Sequence, residues 1–347
     1  MKANVLYNIN DLRYTDVETP KLKQSEVLVK IKAAGICGSD VDRVFKNGTY
    51  HFPTIIGHEF SGEVFDVFSH EDKDLIGKRV AVFPLIPCKK CESCKNHNYQ
   101  LCDSYNYLGS RCDGGFAEFV AVPKWNLMFL PDNVSCEEGA MLEPAAVALH
   151  TIRRFHYKKI ESLTIIGPGT IGIIIAQLAK IVGIKKIILV GRSNEKLNFA
   201  KKFNSELITI NSKNQAVAEV VCNHTDGNGA DIVIEGTGAS NSLTQALNIV
   251  KKTGTVITLG NPLENITLSK QNYWKILRKE INLKGVWNST YGTENSDWNI
   301  IVNLLKSNEL HLKNLITHKL PMSDLLYGLN LMKNSEIYTN KIMLINH

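Results

Sequence analysis

Four of the eight cysteines lie within fifteen residues, at Cys88, Cys91, Cys94 and Cys102. Thiolates at this spacing can surround one tetrahedral zinc ion without a large core to gather them. Four thiolates leave no open position for a substrate, so we expect this zinc ion to be structural. Disulfides are a weaker interpretation, because the N-terminus carries no export signal. A zinc ribbon that binds nucleic acid is the rival interpretation, although such a ribbon normally comes with a basic recognition element.

A glycine-rich turn is the second chemical signal. The apolar run Leu163–Ile166 leads into Gly167, Pro168, Gly169, Thr170, Ile171 and Gly172, and the helical run 173–182 follows. Glycines between a strand and a helix permit a tight turn and a close approach of a pyrophosphate, which the helix N-terminus attracts. The motif alone is weak, but its position between a strand and a helix predicts a dinucleotide site at Gly167, Gly169, Thr170, Ile171 and Gly172.

The next apolar run, 186–190, ends in Gly191, Arg192 and Ser193. A fold that prefers NAD places an acidic residue there, which accepts hydrogen bonds from the ribose hydroxyls. Without that carboxylate a 2′-phosphate is not repelled, and Arg192 with Ser193 can bind it, so we favour NADP over NAD. Arg192 as a solvated or adenine-stacking side chain is the alternative.

The third chemical signal is a set of residues that can bind a metal but lie far apart in the sequence. Cys37 precedes Gly38-Ser39-Asp40, His58 and Glu59 follow Gly57, and Glu143 precedes Pro144. A thiolate, an imidazole and a carboxylate can hold zinc and leave a fourth position for water or substrate. Taken singly each is unremarkable, since a lone Cys or His is usually structural and Glu143 suits the start of a helix. Spacing alone does not connect them.

The elements that must position these residues fall into two patterns. The first 150 residues carry short β-branched runs such as 27–31 and 79–82, which predict an irregular β-rich domain. From about residue 160, apolar runs alternate with helical stretches, which is typical of a parallel α/β sheet. The candidate strands there are Leu163–Gly167, Lys186–Val190, Leu207–Ile210, Asp231–Glu235 and Thr255–Leu259. The final apolar run, 341–345, is expected to rejoin the first domain.

Composition excludes several classes of protein. The chain has 347 residues, 44% hydrophobic and 21% charged, with no apolar run long enough to span a membrane and no low-complexity tail. Two domains of ordinary size are therefore expected. The net charge of +6 is spread along the sequence, so binding to nucleic acid is not favoured. We expect a cytoplasmic location and no membrane partner.

Together these segments resemble the zinc-containing medium-chain alcohol and polyol dehydrogenases, through Gly57-His58-Glu59-Phe60-x-Gly62 and the glycine turn in the same order. The resemblance implies an α/β protein with a GroES-like β-rich catalytic domain (1–150 and 287–347) and an inserted Rossmann domain with a doubly wound parallel sheet (151–286). It implies a catalytic zinc on Cys37, His58 and Glu143, hence two zinc ions per chain. Glu59 corresponds to the carboxylate beside that zinc and Ser39 to the proton relay.

Further stretches, 37–48, 109–118 and 276–280, resemble members that oxidise hexitol phosphates. They imply hydride transfer to NAD(P) from a secondary hydroxyl of a polyol or polyol phosphate, with galactitol 1-phosphate oxidised to tagatose 6-phosphate as the best candidate reaction. Sorbitol-type or simple secondary-alcohol oxidation is the alternative. Four basic residues, Arg43, Lys46, Arg111 and Arg278, are candidates to face the phosphate. We expect a small-molecule substrate and a homodimer or homotetramer.

Overall fold

The computed structural model describes residues 1–334 and 336–346, which form two compact units. The first unit combines Met1–Ala146 with the segment that begins at Ser289, and the second is Val147–Asn288. The strands, in chain order, are β1 (Lys2–Asn8), β2 (Asp11–Asp16), β3 (Glu26–Gly35), β4 (Thr54–Ile55), β5 (Glu59–Val67), β6 (Arg79–Val82), β7 (Leu85–Ile86), β8 (Asn106–Tyr107), β9 (Phe119–Pro123), β10 (Leu127–Phe129), β11 (Ser162–Ile166), β12 (Lys186–Gly191), β13 (Ile208–Asn211), β14 (Ala230–Glu235), β15 (Val250–Thr258), β16 (Asn282–Gly285), β17 (Ile316–Pro321) and β18 (Lys341–Ile345).

The helices are short on average and distributed over both units. In chain order they are α1 (Gly38–Asp42), α2 (Glu92–Lys95), α3 (Cys136–Ala140), α4 (Leu142–Ile152), α5 (Thr170–Ile181), α6 (Asn194–Lys201), α7 (Val217–His224), α8 (Ser240–Ile249), α9 (Lys270–Arg278), α10 (Asp297–Lys306) and α11 (Leu325–Lys333). One turn of π-helix, Arg43–Asn47, directly follows α1. Among the described residues, no helix combines the length and apolar character that spanning a bilayer requires.

The first unit is built around a seven-stranded sheet in the order β10-β6-β5-β3-β18-β17, with β9 paired to β3. A three-stranded sheet, β2-β1-β4, and the pair β7-β8 complete it. Apolar side chains of β3, including Val27, Val29 and Ile31, are fully buried in its core. The last strand, β18, pairs antiparallel with β3. This pairing confirms the prediction that the C-terminal apolar run rejoins the first domain.

The second unit contains a six-stranded sheet in the order β13-β12-β11-β14-β15-β16, and every adjacent pair is parallel. All five residues of β11 are buried, as expected for a central strand covered on both faces. Strand order that runs outward in both directions from β11 is that of a doubly wound dinucleotide-binding fold. The predicted fold class, a β-rich domain with an inserted Rossmann domain, is therefore confirmed.

Candidate active site

The four clustered cysteines converge on one point of the loop 88–102. Their sulfur atoms all lie within 4.8 Å of one another, and none forms a disulfide. The pairs Cys88–Cys94 and Cys91–Cys102 each have an Sγ–Sγ distance of 3.9 Å. A tetrahedral zinc ion with bonds of about 2.3 Å to sulfur separates its ligands by about 3.8 Å. The donor set and its spacing therefore fit zinc.

The environment of these thiols also favours a bound cation. Backbone amides of Lys90 and Cys91 lower the pKa of Cys88 to about 6, so one thiolate forms readily near neutral pH. Burial instead raises the pKa of Cys94 to about 12. Several thiolates in one partly buried cluster repel one another unless a cation lies between them, and a zinc ion would supply that charge.

A second cluster gathers Cys37, His58 and Glu59, whose ligand atoms also lie within 4.8 Å of one another. Cys37 immediately precedes α1, His58 immediately precedes β5, and Glu59 begins that strand. Gly57 sets the turn before them with a φ of +99°, and an added Cβ would meet the ring of Phe116 at 2.7 Å. Only glycine fits this conformation and this space, which explains why the residue before His58 has no side chain.

His58 is buried and held by two charged neighbours. Its Nδ1 lies 3.5 Å from Oδ1 of Asp40 and 3.3 Å from Nη1 of Arg43. Burial alone would lower the pKa of His58, but Asp40 and the thiol of Cys37 outweigh it and raise the pKa well above the usual value. Because Nδ1 faces Asp40, Nε2 is the nitrogen left for a metal, the arrangement common to histidines that bind zinc.

Asp40 connects the two halves of this cluster. Its Oδ2 accepts a hydrogen bond from the backbone amide of Cys37 at 3.0 Å, and its Oδ1 accepts one from Arg43 at 2.8 Å. Burial would raise the pKa of Asp40, but His58 and Arg43 overcome that effect and hold it at about 2. The carboxylate therefore stays ionised and fixes Cys37 and His58 relative to each other.

Glu59 forms a buried ion pair with a residue that is distant in sequence. Its Oε2 lies 2.5 Å from Nζ of Lys341, which also donates to the carbonyl oxygen of Ile36 at 3.1 Å. Burial alone would lower the pKa of Lys341, but Glu59 and Cys37 raise it. Lys341 is therefore charged, and it neutralises Glu59 from the side of β18.

Glu143 lies near this cluster but does not belong to the group of three residues whose ligand atoms are all within 4.8 Å of one another. It is buried at the start of α4, and the hydroxyl of Tyr107 donates to its Oε1 at 3.2 Å. Burial, opposed by His58 and reinforced by Glu59, raises the pKa of Glu143 to about 7. Among the described residues Glu143 makes no ion pair, so this carboxylate lacks the cation that Glu59 has.

Ser39 lies beside the same cluster. It is half-buried, and its Oγ accepts a hydrogen bond from Nη1 of Arg43 at 3.1 Å. The contact uses one lone pair of the hydroxyl and leaves the other lone pair and the O–H group available. The hydroxyl of Ser39 can therefore form a further hydrogen bond.

The glycine-rich turn in the second unit connects β11 to α5. Gly167 has a φ of +119°, and an added Cβ at Gly172 would overlap the carbonyl oxygen of Gly167. Gly169 precedes α5, whose first residues are Thr170 and Ile171, and an added Cβ there would meet nothing within 4 Å. This leaves open space beside the helix N-terminus, the position that suits a pyrophosphate.

The end of β12 lacks an acidic side chain, as the sequence shows. An added Cβ at Gly191 would meet Cγ of Pro168 at 2.5 Å, so a larger residue has no room there. Arg192 is exposed, and Ser193 caps α6 by accepting a hydrogen bond from the amide of Lys196 at 3.4 Å. A solvent-facing arginine beside a helix N-terminus is compatible with an anionic group in this turn.

Comparisons with known proteins agree with this arrangement. Residues 23–132 match the family described as "Alcohol dehydrogenase GroES-like domain", and residues 170–307 match "Zinc-binding dehydrogenase". Galactitol 1-phosphate 5-dehydrogenase of Escherichia coli K12 is 34% identical over 321 residues, which cover 92% of each chain. The chain belongs to the zinc-dependent medium-chain alcohol and polyol dehydrogenases. The predicted family, enzyme class and resemblance to a hexitol phosphate dehydrogenase are confirmed.

Other members of the family extend the comparison. D-xylulose reductase A of Aspergillus oryzae is 32% identical over 92% of this chain and 90% of its own. The crystal structure of the Escherichia coli galactitol-1-phosphate dehydrogenase matches with a TM-score of 0.90 and 32% identity over the whole of both chains. A zinc-binding dehydrogenase of Sinorhizobium meliloti 1021 bound to NADP (TM-score 0.90, 26% identity, 99% of each chain) also matches. So does an alcohol dehydrogenase of Escherichia coli CFT073 with NADH (TM-score 0.89, 26% identity, 100% of this chain and 99% of the other).

Three residues that support the site belong to no motif that predicts their contacts. Asp40 follows Cys37 by three residues, but nothing in its position indicates a contact with His58. Tyr107 lies in a segment without a motif, and its ring centroid is 5.9 Å from that of His58. Lys341 begins an apolar strand and reaches Glu59 only because β18 pairs with β3. The residue types alone carry no signal for these contacts.

Proposed function

We propose that this dehydrogenase oxidises a secondary hydroxyl of a polyol phosphate, with galactitol 1-phosphate as substrate and tagatose 6-phosphate as product. The observation that carries the proposal is the set of half-buried Cys37 with buried His58, Glu59 and Glu143. The chain is also 34% identical over 92% of its length to galactitol 1-phosphate 5-dehydrogenase. A thiol, an imidazole and a carboxylate are the ligand types of a catalytic zinc with one open position.

We assign the catalytic zinc to Cys37, His58 and Glu143, and a structural zinc to Cys88, Cys91, Cys94 and Cys102, two ions per chain. Glu143 is chosen over Glu59 because Lys341 already neutralises Glu59, whereas Glu143 is buried with no ion pair among the described residues. A buried carboxylate without a cation is costly, and a metal ion would compensate it. Glu59 then lies beside the metal, where it can approach without being a permanent ligand.

The residues around this site perform separable tasks. Zinc, when bound, acts as a Lewis acid that lowers the pKa of a substrate hydroxyl. Asp40 fixes the ring of His58 through Nδ1, so Nε2 would be the nitrogen that binds the metal. Ser39 would relay the proton that the substrate hydroxyl releases: its Oγ, which keeps a lone pair beside Arg43, accepts that proton as its own O–H proton passes to solvent water. Tyr107, whose pKa burial and Glu143 raise, stays protonated and donates its hydrogen bond to Glu143.

We propose that the glycine-rich turn holds a nicotinamide cofactor, which would supply the hydride acceptor, and that this cofactor is NADP rather than NAD. Gly167, Gly169, Thr170, Ile171 and Gly172 would approach the pyrophosphate, while Gly191, Arg192 and Ser193 would face the ribose. The absence of a carboxylate at Gly191 and the exposed guanidinium of Arg192 support NADP. Relatives of similar fold bind NADP in one case and NADH in another.

The function is tested by measuring kcat/KM with NAD and with NADP across galactitol 1-phosphate, galactitol, sorbitol, xylitol and a simple secondary alcohol. We expect galactitol 1-phosphate to have by far the highest value, because a fixed phosphate supplies remote binding energy for orientation. Its advantage over galactitol should shrink as the salt concentration rises. A higher value for sorbitol or xylitol would instead favour a polyol dehydrogenase, the activity that D-xylulose reductase A represents among the relatives.

We also propose that the chain forms a homodimer or homotetramer. The proposal is supported by the family to which the chain belongs rather than by a surface of this structure. Light scattering coupled to size-exclusion chromatography tests it, and a monomer at micromolar concentration would contradict it.

A further inference from the structure

A tight loop, residues 107–112, extends from the candidate active site. The backbone amides of Ser110, Arg111 and Cys112 all donate to the carbonyl oxygen of Tyr107, at 3.2, 2.9 and 3.3 Å. Gly109 within it has a φ of +82° and donates to the carbonyl oxygen of Cys112 at 2.8 Å. Tyr107 and Arg111 are therefore held in a fixed relation to each other.

The side chain of Arg111 lies between two tyrosine rings. Its Cζ is 4.0 Å from the ring centroid of Tyr50 and 4.6 Å from that of Tyr105. The segment that carries Tyr50 is tied to the same loop, because the Tyr50 amide donates to the carbonyl oxygen of Ser110 at 3.2 Å and Nε2 of His51 lies 3.2 Å from the carbonyl oxygen of Arg111. We call Arg111, Tyr50 and Tyr105 the arginine clamp.

The clamp leaves the charge of Arg111 uncompensated. Among the described residues, no carboxylate forms an ion pair with it, and the neighbouring Asp113 accepts instead from the amide of Ile55 at 2.9 Å. A guanidinium over aromatic rings offers its faces to them and keeps the N–H groups at its rim available. Those N–H groups match the oxygen atoms of a phosphate in a bidentate contact.

The other three candidate cations are engaged elsewhere. Arg43 pairs with Asp40 at 2.8 Å, and Lys46 pairs with Asp42 at 3.3 Å. Arg278 belongs to the second unit and lies 4.6 Å from the ring centroid of Trp274. Of the four, Arg111 is the one in the zinc-carrying unit whose charge no described carboxylate neutralises.

A continuous series of ring contacts connects the clamp to the candidate catalytic residues. The centroids of Tyr105 and Tyr107 are 6.3 Å apart, those of Tyr107 and His58 are 5.9 Å apart, and the Tyr107 hydroxyl contacts Glu143. We propose that Arg111 binds the phosphate monoester of the substrate and thereby selects phosphorylated over free polyols. This inference rests on the proposed function and names the residue that recognises the phosphate.

The test compares Arg111→Gln with Arg13→Gln. Arg13 also lies over a tyrosine, Tyr7, in the same unit, but Asp11 neutralises it. For Arg111→Gln we expect kcat/KM on galactitol 1-phosphate to fall about ten- to one-hundredfold, as loss of charge-assisted hydrogen bonds predicts, with little change on galactitol. Inhibition of galactitol oxidation by inorganic phosphate should weaken by a similar factor. Arg13→Gln should change none of these values.

Arg111→Lys is the second variant, because it keeps the charge and loses the bidentate geometry, and it should show an intermediate loss on galactitol 1-phosphate alone. Equal losses on both substrates, or no loss on either, would overturn the role of Arg111 while leaving a wild-type preference for the phosphorylated substrate intact. If the wild-type enzyme shows no such preference and no inhibition by phosphate, the proposed substrate class fails together with this inference.

Discussion

Lys341 and Glu59 form an ion pair whose side chains are only 4% and 2% exposed. At this depth the charges attract each other strongly, but each would be costly to leave alone. The pair therefore constrains the carboxylate beside the proposed zinc and ties the last strand of the chain to the start of β5.

Replacing Lys341 should be far more damaging than replacing a lysine at the surface. We expect Lys341→Met to lower the free energy of unfolding by about 3–5 kcal/mol, because Glu59 is then left buried without a partner. Urea denaturation of the zinc-loaded protein measures this.

Lys319→Met is the matched control, since Lys319 pairs with Glu137 at 2.7 Å and its side chain is 48% exposed. Its removal should cost less than about 1 kcal/mol. If the two variants lost similar amounts of unfolding free energy, burial of the ion pair between Lys341 and Glu59 would not explain its contribution to stability.

Residues whose side chains themselves perform the chemistry can be predicted from their types. The spacing of the four clustered cysteines by itself predicts a zinc site, whereas the resemblance to the family is needed to connect Cys37, His58 and Glu143 as ligands of a second zinc ion. The residues that support the site cannot be predicted in this way, because a contact such as that of Lys341 with Glu59 joins positions that are 282 residues apart. Folding alone brings that pair together.

At the scale of elements, the loop 88–102 has little regular secondary structure. Its helix, α2, is four residues long. We expect a loop with so small a core to depend on a bound zinc ion for its stability.

We therefore expect Cys91→Ser to lower the zinc content from two ions per chain to one and to make the loop susceptible to proteolysis. Cys37→Ala and His58→Ala should abolish turnover and leave the fold intact, because they remove ligands of the catalytic zinc. Metal analysis, circular dichroism and limited proteolysis separate these effects, with Cys222→Ser, outside both clusters, as the control. Equal unfolding of all three variants would contradict the division into structural and catalytic sites.

We expect the turn between β12 and α6 to decide whether the enzyme uses NADP or NAD. We expect Arg192→Ala to weaken NADPH binding by about ten- to one-hundredfold, the value of a charge-assisted phosphate contact, and to leave NADH nearly unchanged. Fluorescence titration of both cofactors measures the effect. If the variant bound NADPH as tightly as the wild type, Arg192 would be a solvated surface residue with no role in binding the phosphate. A clear preference of the wild-type enzyme for NAD would overturn the assignment of NADP.

The strands of the second unit show where sequence patterns succeed and fail. The runs 163–166 and 187–190 are buried and apolar except for Thr164, and the structure places strands there. Strand β15 begins at Val250, five residues before the predicted start. The prediction started too late because polar residues, including Lys251 and Lys252, interrupt the apolar pattern at the beginning of the strand. The edge strand β16 has no fully buried residue, so its sequence lacks the apolar pattern by which the other strands were predicted.

At the scale of the whole molecule, the candidate zinc clusters and the candidate cofactor turn belong to separate units. The ligand clusters and the arginine clamp belong to the unit formed by both ends of the sequence, and the glycine turn belongs to the inserted unit. In the sequence, the change from short β-branched runs to alternating strands and helices predicts a β-rich domain and an α/β domain. The pairing of β18 with β3 completes the first unit.

The most direct test of the central claim is identification of the product formed from galactitol 1-phosphate. The zinc-loaded enzyme is incubated with this substrate and NADP, and the product is analysed by NMR together with the amount of NADPH formed. We predict tagatose 6-phosphate, one ketone at a secondary carbon for each NADPH, and no reaction after the zinc has been removed by a chelator. Formation of an aldehyde, or no reaction in the presence of rapid oxidation of free galactitol or sorbitol, would contradict it.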